Sequence, residues 1–352
     1  MMEPPVSESS TRDSSVSGLP NNRRSWLRIL WWTFLLLLAA GAGGYWYLSR
    51  PPGDGETPPR GFSSRNELMA AIVVRAVELV DRNPPLPENV EFHEGIPYGS
   101  GGGRPLLLDL YKPRHQMEKA PGLIFIHGGG WKSGSREDYR PYTIWFARQG
   151  YVAATISYRL SKEALFPAAV EDAKCAVRWM RSEAENLGVD PDKIVVIGGS
   201  AGGHLAMMVG YTADDPTLEG TGGHNNVSSA VAAVVDLYGP FDFETPEGKA
   251  ADVVKDFLGK RSYEEAPDLW KRASPATYLK AGAPPTLILH GSIDDIVPIS
   301  QSETLAKRLE ELNVPHRFER LEGWPHTMDL AVPVNVYCRR QIVKFLHEQV
   351  GP

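Results

Sequence analysis

The sequence predicts an α/β fold: a mostly parallel eight-stranded sheet flanked by helices, preceded by one transmembrane helix. Three observations carry that prediction. Short runs such as Gly122–Ile126, Ile194–Ile197 and Thr286–His290 are predominantly apolar without a polar alternation, as strands buried on both faces require. Stretches with helical spacing lie between these runs, the alternation of a parallel sheet wrapped by helices. Several runs end in glycine-rich turns, where chemistry-bearing residues gather.

Residues 1–25 are rich in Ser, Pro, Asn and Arg with scarcely any large apolar side chain, so a disordered cytoplasmic tail is expected. Residues 26–49 read as a membrane anchor. Ile29 to Ser49 carries no charge over about 21 residues, enough to cross a hydrocarbon core of roughly 30 Å. Trp31 and Trp32 stand at one end and Tyr45, Trp46 and Tyr47 at the other, as interfacial belts do. Arg23, Arg24 and Arg28 precede the span and predict a cytoplasmic N-terminus, with the rest of the chain extracytoplasmic. The competing reading is a cleaved signal peptide and secretion, with Ala40-Gly41-Ala42 as the processing site. The long tail before the run and the aromatic cluster after that site favour the retained anchor.

A Pro- and Gly-rich linker over residues 50–65 leads into an N-terminal helix and connection over residues 66–88. Leu68, Ile72, Ala76 and Val80 repeat at helical spacing, which predicts a helix over Asn66–Arg82, docked on the following domain with a mobile lid as the alternative, and ended by Pro84 to Pro87. The domain itself spans residues 89–350. Its strands are expected at Val90–Pro97, Leu106–Tyr111, Gly122–Ile126, Val152–Tyr158, Ile194–Ile197, Ala232–Leu237, Thr286–His290 and Arg317–Leu321. Helices are expected at Tyr139–Gln149, Ala168–Glu185, Gly203–Tyr211, Ser300–Leu312 and Val334–Gln349. Thr212–Ser229 is a surface loop, and Phe241–Lys280 is polar and irregular.

Four islands carry the chemistry. Lys193–Val209 contains Gly198-Gly199-Ser200-Ala201-Gly202, a G-x-S-x-G in which a sharp turn lifts the Ser200 hydroxyl clear of the sheet as a nucleophile. Pro121–Trp131 runs a strand into three glycines, and the amides of Gly129, Gly130 and Ala201 are the candidate donors to an oxyanion. A phosphate loop is the poorer reading, because the lysine and helix-opening hydroxyl of that motif are missing. His127 is read as a residue that pins this loop, and Trp131 as loop packing. Thr286–Pro298 ends in two adjacent acids, Asp294 and Asp295, either of which stands where a carboxylate should orient a catalytic imidazole. His326, in the loop after the last strand, is the candidate base. The chain order Ser, Asp, His is that of α/β-hydrolases.

The stretch from about Val90 to the C-terminus resembles the hormone-sensitive-lipase-like branch of the α/β-hydrolases, and within it bacterial carboxylesterases of the acetyl-xylan and feruloyl esterase kind. The residues that carry the resemblance are HGGGW at His127, SYRLS at Ser157, FPAAVEDAKCAVRWMR at Phe166 and GGSAGGHLA at Gly198, with VVDLYGPFDF at Val234, ASPATYL at Ala273 and HGSIDDIVP at His290. The resemblance implies Ser200, Asp294 and His326 as the triad, since its acid is the first one after the HGxx motif. It also implies that Phe241–Lys280 shapes the pocket. The elbow reads GGSAGG where many members of the branch have GDSAGG, which points to the acetyl and feruloyl side. Cys175 and Cys338 fall in helices expected on opposite faces of the sheet, so two buried free thiols are expected.

A net charge of −6 leaves no basic footprint for nucleic acid. The nine histidines form no H-E-x-x-H pair and two cysteines cannot build a zinc cluster, so neither metal nor cofactor is expected. The reading is a serine carboxylesterase for short-acyl esters, small or polysaccharide-linked, that contacts the lipid bilayer through its anchor. Within enzymes the alternatives are an amide or formamide hydrolase and an isoprenylcysteine methylesterase. From another class, an inactive membrane-tethered binding module is the alternative, which a complete triad opposes.

Overall fold

The computed structural model describes residues 30–35, 55–115 and 118–351 of the chain. The chain divides into two units, Met1–Ser49 and Arg50–Pro352. In the first, residues 30–35 are helical, with the Thr33 hydroxyl donating to the Leu30 carbonyl at 2.9 Å. The tail expected over residues 1–25 and the rest of the expected anchor lie outside the described residues. Among the described residues, no helix is long and apolar enough to cross a membrane.

The second unit is built on one eight-stranded sheet: β1 (Val90–Gly101), β2 (Arg104–Pro113), β3 (Ala120–Ile126), β4 (Val152–Ile156), β5 (Val189–Gly199), β6 (Ala233–Leu237), β7 (Thr286–Gly291) and β8 (His316–Leu321). The strands lie in the order β1-β2-β4-β3-β5-β6-β7-β8, and β2 runs against its two neighbours while the pairings from β4 to β8 are parallel. Every residue of β3, β4, β6 and β7 is buried, which is why these strands read as unbroken apolar runs. The edge hairpin is longer than its apolar pattern suggested. β1 continues past Pro97 to Gly101, where Gly102 and Gly103 turn the chain with φ of 60° and 79°. Its extension is Gly- and Ser-rich and carries little hydrophobic signal.

Helices cover both faces of this sheet: α1 (Arg65–Val73) before it, then α2 (Arg140–Arg148), α3 (Ala168–Ser182), α4 (Ala201–Tyr211), α5 (Ser300–Glu311) and α6 (Val332–Gln349). Alternation along β3 divides the core. Ile124 and Ile126 face a cluster that includes Cys175 and Met180 of α3, Leu205 and Met208 of α4, and Leu305 and Leu309 of α5. Phe125 points the other way, onto Tyr142 and Phe146 of α2 and onto Tyr139 just before it, at 5.4–5.8 Å between ring centroids. The Arg339 guanidinium of α6 lies 4.9 Å from the Trp145 ring of α2. Cys175 and Cys338 are both buried free thiols.

The helix expected over Asn66–Arg82 is a correction. α1 starts earlier, capped by the Ser64 hydroxyl, and ends at Val73. Arg75 takes φ 58°, and the chain then runs extended so that Leu79 forms a β-bridge with Ala331. The Val80 amide donates to the Leu330 carbonyl at 2.8 Å and the Val332 amide to the Glu78 carbonyl at 2.9 Å. Tertiary pairing has outweighed local helix propensity over residues 76–82. Phe241–Lys280 contains three short helices, Pro246–Ala250, Asp252–Phe257 and Pro267–Ala273.

Candidate active site

β5 delivers Ser200 to the edge of the sheet, and α4 begins with the next residue. Ser200 has φ 56° and ψ −122°, a conformation that an L-residue holds only when its surroundings impose it. The imposing contact is backbone against backbone. A Cβ at Gly202 would lie 1.9 Å from the Ile126 carbonyl oxygen, and one at Gly198 would lie 2.2 Å from that of Gly202. Glycine is therefore obligatory on both sides of the turn, and the serine side chain is pushed away from the sheet.

The loop after β8 places His326 against it, with Nε2 2.9 Å from the Ser200 Oγ. On the other side His326 Nδ1 lies 2.6 Å from Asp294 Oδ2. Because Nδ1 faces a carboxylate, it carries the proton, and Nε2 presents its lone pair to the serine hydroxyl. The Asp294 side chain is buried just past β7. Its Oδ1 accepts the amides of Ile296 and Val297, each at 2.9 Å, and its Oδ2 also takes His290 Nε2 at 3.1 Å. Burial alone would raise the Asp294 carboxyl, but hydrogen bonds from His290 and His326 hold it well below the usual carboxylate range. Of the two adjacent acids, the structure brings Asp294 to the imidazole and leaves Asp295 exposed in an ion pair with Arg65 at 3.1 Å.

The glycine loop faces the same space. Gly129, Gly130 and Trp131 follow one another with φ of 101°, 60° and 56°, a left-handed run that the first two residues adopt freely. Trp131 is held there by packing: its ring stacks on Phe257 at 4.5 Å and meets His204 and Phe243 edge-on. His127 fastens the base of the loop, donating Nδ1–H to the Gly128 carbonyl at 2.8 Å and stacking on Tyr158 at 4.3 Å. Gly129, Gly130, Ser200, Ala201 and His326 all border one cavity of about 910 Å³. Ala201 is the first residue of α4, where a backbone N–H has no partner one turn earlier. The arrangement can move a proton from Ser200 to His326 and offer amides to a charge developing beside the serine. Among the described residues, no group of three or more His, Cys, Asp or Glu could hold a metal ion.

Two contributors were not singled out from the sequence. His290 reads as part of a buried strand, yet it braces the acid: its Nε2 also faces the Val297 carbonyl at 3.0 Å, and its Nδ1 accepts from the Ser302 hydroxyl at 2.7 Å. Tyr238, with φ 49°, sets its ring 4.9 Å from His326 and donates its hydroxyl to the buried Asp329. The signal for them lay in the islands HGSIDD and VVDLYGPFDF, where they look like strand-end core residues.

The BD-FAE family model matches residues 108–309, more than half of the chain. The chain belongs to the BD-FAE family. Its relatives include two mycobacterial esterases. Esterase LipQ of Mycobacterium tuberculosis is 34% identical over 246 residues, covering 68% of this chain and 58% of LipQ. Esterase LipC of the same organism is 34% identical over 232 residues, covering 64% of this chain and 57% of LipC. The match thus takes in less than two thirds of either relative. Among solved structures, a truncated carbohydrate esterase from gut microbiota matches with a TM-score of 0.64 at 26% identity, over 76% of this chain and 99% of that one. Esterase 2 of Thermogutta terrifontis with butyrate bound matches with a TM-score of 0.63 at 29% identity, over 75% of this chain and 95% of that one. The fold common to the family and these structures is the α/β-hydrolase fold, here with its mostly parallel eight-stranded sheet.

One buried acid behind the elbow sets a pH dependence. Asp236, next to the last residue of β6, accepts the Gly239 amide at 2.8 Å through Oδ1 and has no partner at Oδ2 among the described residues. Burial pushes its carboxyl up to about 8. A raised folded-state value means that its contribution to stability is complete below the unfolded value of 3.8 and is lost as pH rises through about 8. The expected slope over that interval is at most about 1.4 kcal/mol per pH unit relative to an uncharged side chain. Urea denaturation of the wild type and Asp236→Asn at pH 5.5, 7 and 8.5 checks it: the stability difference should shift in favour of the variant as pH rises. A difference independent of pH would show that Asp236 is ionised in the folded protein.

Proposed function

We propose that the protein is a serine carboxylesterase that hydrolyses short-acyl carboxylic esters, of the acetyl or feruloyl type, through an acyl-enzyme on Ser200. The observation that carries this reading is the unbroken relay from Ser200 Oγ to His326 to Asp294 opening onto the cavity, in a chain whose relatives include the esterases LipQ and LipC. His326 Nε2 takes the hydroxyl proton as Oγ attacks the ester carbonyl carbon. The amides of Gly129, Gly130 and Ala201 stabilise the resulting oxyanion, each donor contributing roughly 3 to 4 kcal/mol. His326 then returns the proton to the leaving alcohol. In the second half-reaction His326 deprotonates a water, which attacks the acyl carbonyl and frees Ser200. Asp294 stays ionised throughout and stabilises the imidazolium.

The short-acyl preference is supported by GGSAGG at the elbow, by short helices rather than a long apolar lid in Phe241–Lys280, and by the butyrate in the Thermogutta esterase. The likeness to a carbohydrate esterase supports a polysaccharide-linked ester among its substrates. We propose further that Ile29–Ser49 anchors the enzyme in a membrane with Arg23, Arg24 and Arg28 on the cytoplasmic side and the hydrolase outside.

Ser200→Ala should fold normally and lose roughly 10⁴-fold or more of its turnover of p-nitrophenyl acetate, because the members of such a relay act as a unit. Asp294→Asn should be similarly crippled, whereas Asp295→Asn should stay within a few-fold of wild type; the reverse ranking would move the acid by one residue. Across acetate, butyrate, octanoate and palmitate esters, kcat/KM should peak at acetate or butyrate, and a maximum at palmitate with activation at an oil–water interface would identify a lipase. Protease added outside intact spheroplasts should digest the Ser200 domain of the full chain and spare the tail before Arg23. Protection of the domain would reverse the topology, and a mature N-terminus near Gly43 would mark a cleaved signal peptide.

A further inference from the structure

His326 sits in a loop with little regular structure, from Glu322 to Ala331, between β8 and α6. A relay with contacts of 2.9 and 2.6 Å tolerates only small displacements of its imidazole. Part of what fixes the loop comes from the sheet side, where the Ile293 amide donates to the Trp324 carbonyl at 3.2 Å and the Gly323 amide to the Ser292 hydroxyl at 2.9 Å. The rest comes from far away in sequence, from the segment that joins the first unit to the sheet.

Upstream of His326, Trp324 Nε1 donates to the Pro59 carbonyl at 2.9 Å, and the Phe62 amide donates to the Gly323 carbonyl at 2.8 Å. The Phe62 ring meets the Trp324 ring edge-on at 5.5 Å, and both are buried. The fit is backbone-tight: a Cβ at Gly61 would lie 2.2 Å from the Glu322 carbonyl, and one at Gly323 would lie 2.4 Å from the Phe62 carbonyl. Downstream of His326, Glu78 and Val80 hold Val332 and Leu330 through the two hydrogen bonds of the Leu79–Ala331 bridge. Arg65 reaches the loop of the acid through Asp295. Val80 and Arg82 then border the cavity itself, Arg82 paired with Asp138.

We propose that residues 59–82 form a positioning strap: they grip the His326 loop on both flanks, hold the imidazole in line with Ser200 and Asp294, and supply one wall of the ester site through Val80 and Arg82. The strap lies outside residues 108–309, and so does His326, so the family-matched segment completes its relay with parts from both ends of the chain. The proposal rests on His326 acting as the base. It assigns Phe62 and Val80 to the reaction through the histidine they place rather than through contact with reacting atoms.

The test uses the full-length protein and p-nitrophenyl acetate. Phe62→Ala removes the ring packed on Trp324, Phe62→Tyr keeps it, and Val80→Pro removes the hydrogen-bond donor to Leu330. Phe92→Ala, which deletes a ring stacked on Tyr111 at 4.6 Å on the edge strand, is the control for destabilisation alone. Assayed well below each variant's unfolding midpoint, Phe62→Ala and Val80→Pro should lose about 10- to 100-fold in kcat, and in Phe62→Ala, whose side chain does not border the cavity, KM should change by less than about twofold, as a misplaced base requires. Phe62→Tyr should restore kcat, and Phe92→Ala should keep it. Wild-type kcat in folded Phe62→Ala, or an equal loss in Phe92→Ala, overturns the proposal, and failure of both strap variants to fold would assign the segment to the fold alone and overturn it as well. Ser200→Ala run alongside separates the two readings: if it stays active, the mechanism fails, and if it is dead while Phe62→Ala is unimpaired, only the strap fails.

Discussion

The site depends on one carboxylate that has been taken out of water and kept charged. Asp294 is buried, and a buried carboxylate without partners would protonate instead. Four N–H groups prevent this, two from the backbone of Ile296 and Val297 and two from the imidazoles of His290 and His326. That arrangement leaves His326 a single sensible tautomer and aims its free nitrogen at Ser200. It also ties the acid to α5, because His290 is braced by Ser302 near that helix's start.

A second constraint acts from beneath. The elbow and the glycine loop are packed against each other at the ends of β3 and β5, with Gly202 pressed on the Ile126 carbonyl and Gly128 so close to Gly199 that a Cβ there would lie 2.8 Å from its carbonyl oxygen. Neither loop can therefore relax without disturbing the other. The positive φ of Ser200 and of Trp131 is held by this contact and by the aromatic ring of Phe257, Phe243 and His204 around Trp131. Strain at Ser200 is maintained by burial of its neighbours.

Much of this was legible in the sequence, and what was not has a common cause. The central strands announce themselves because both of their faces are buried, so apolar residues fill most positions. Ser200, Asp294 and His326 stand out because each sits in a loop directly after a strand, where polar residues among glycines are conspicuous. The choice of Asp294 over Asp295 came from resemblance, since both acids have the same local setting and only the tertiary partner, His326 or Arg65, distinguishes them. His290 was invisible for the opposite reason: it lies within an apolar strand and its partners are close in space only after folding. The misread helix at residues 76–82 failed in the same way, for its helical spacing was real but a strand-like bridge to Ala331 offered the backbone better partners.

The Trp324–Pro59 and Gln341–Gly55 hydrogen bonds join residues 265 and 286 positions apart. During synthesis the N-terminal partner of each pair leaves the ribosome long before the other exists. Loop closure over such separations is slow and costly in entropy, and native structure that depends on it forms late. The central strands can assemble domain-first while the histidine loop still lacks its outer fastening. The contact between Ser200 and His326 would then be the last part of the site to form, so that a partly made or C-terminally clipped molecule carries the serine without the imidazole that faces it.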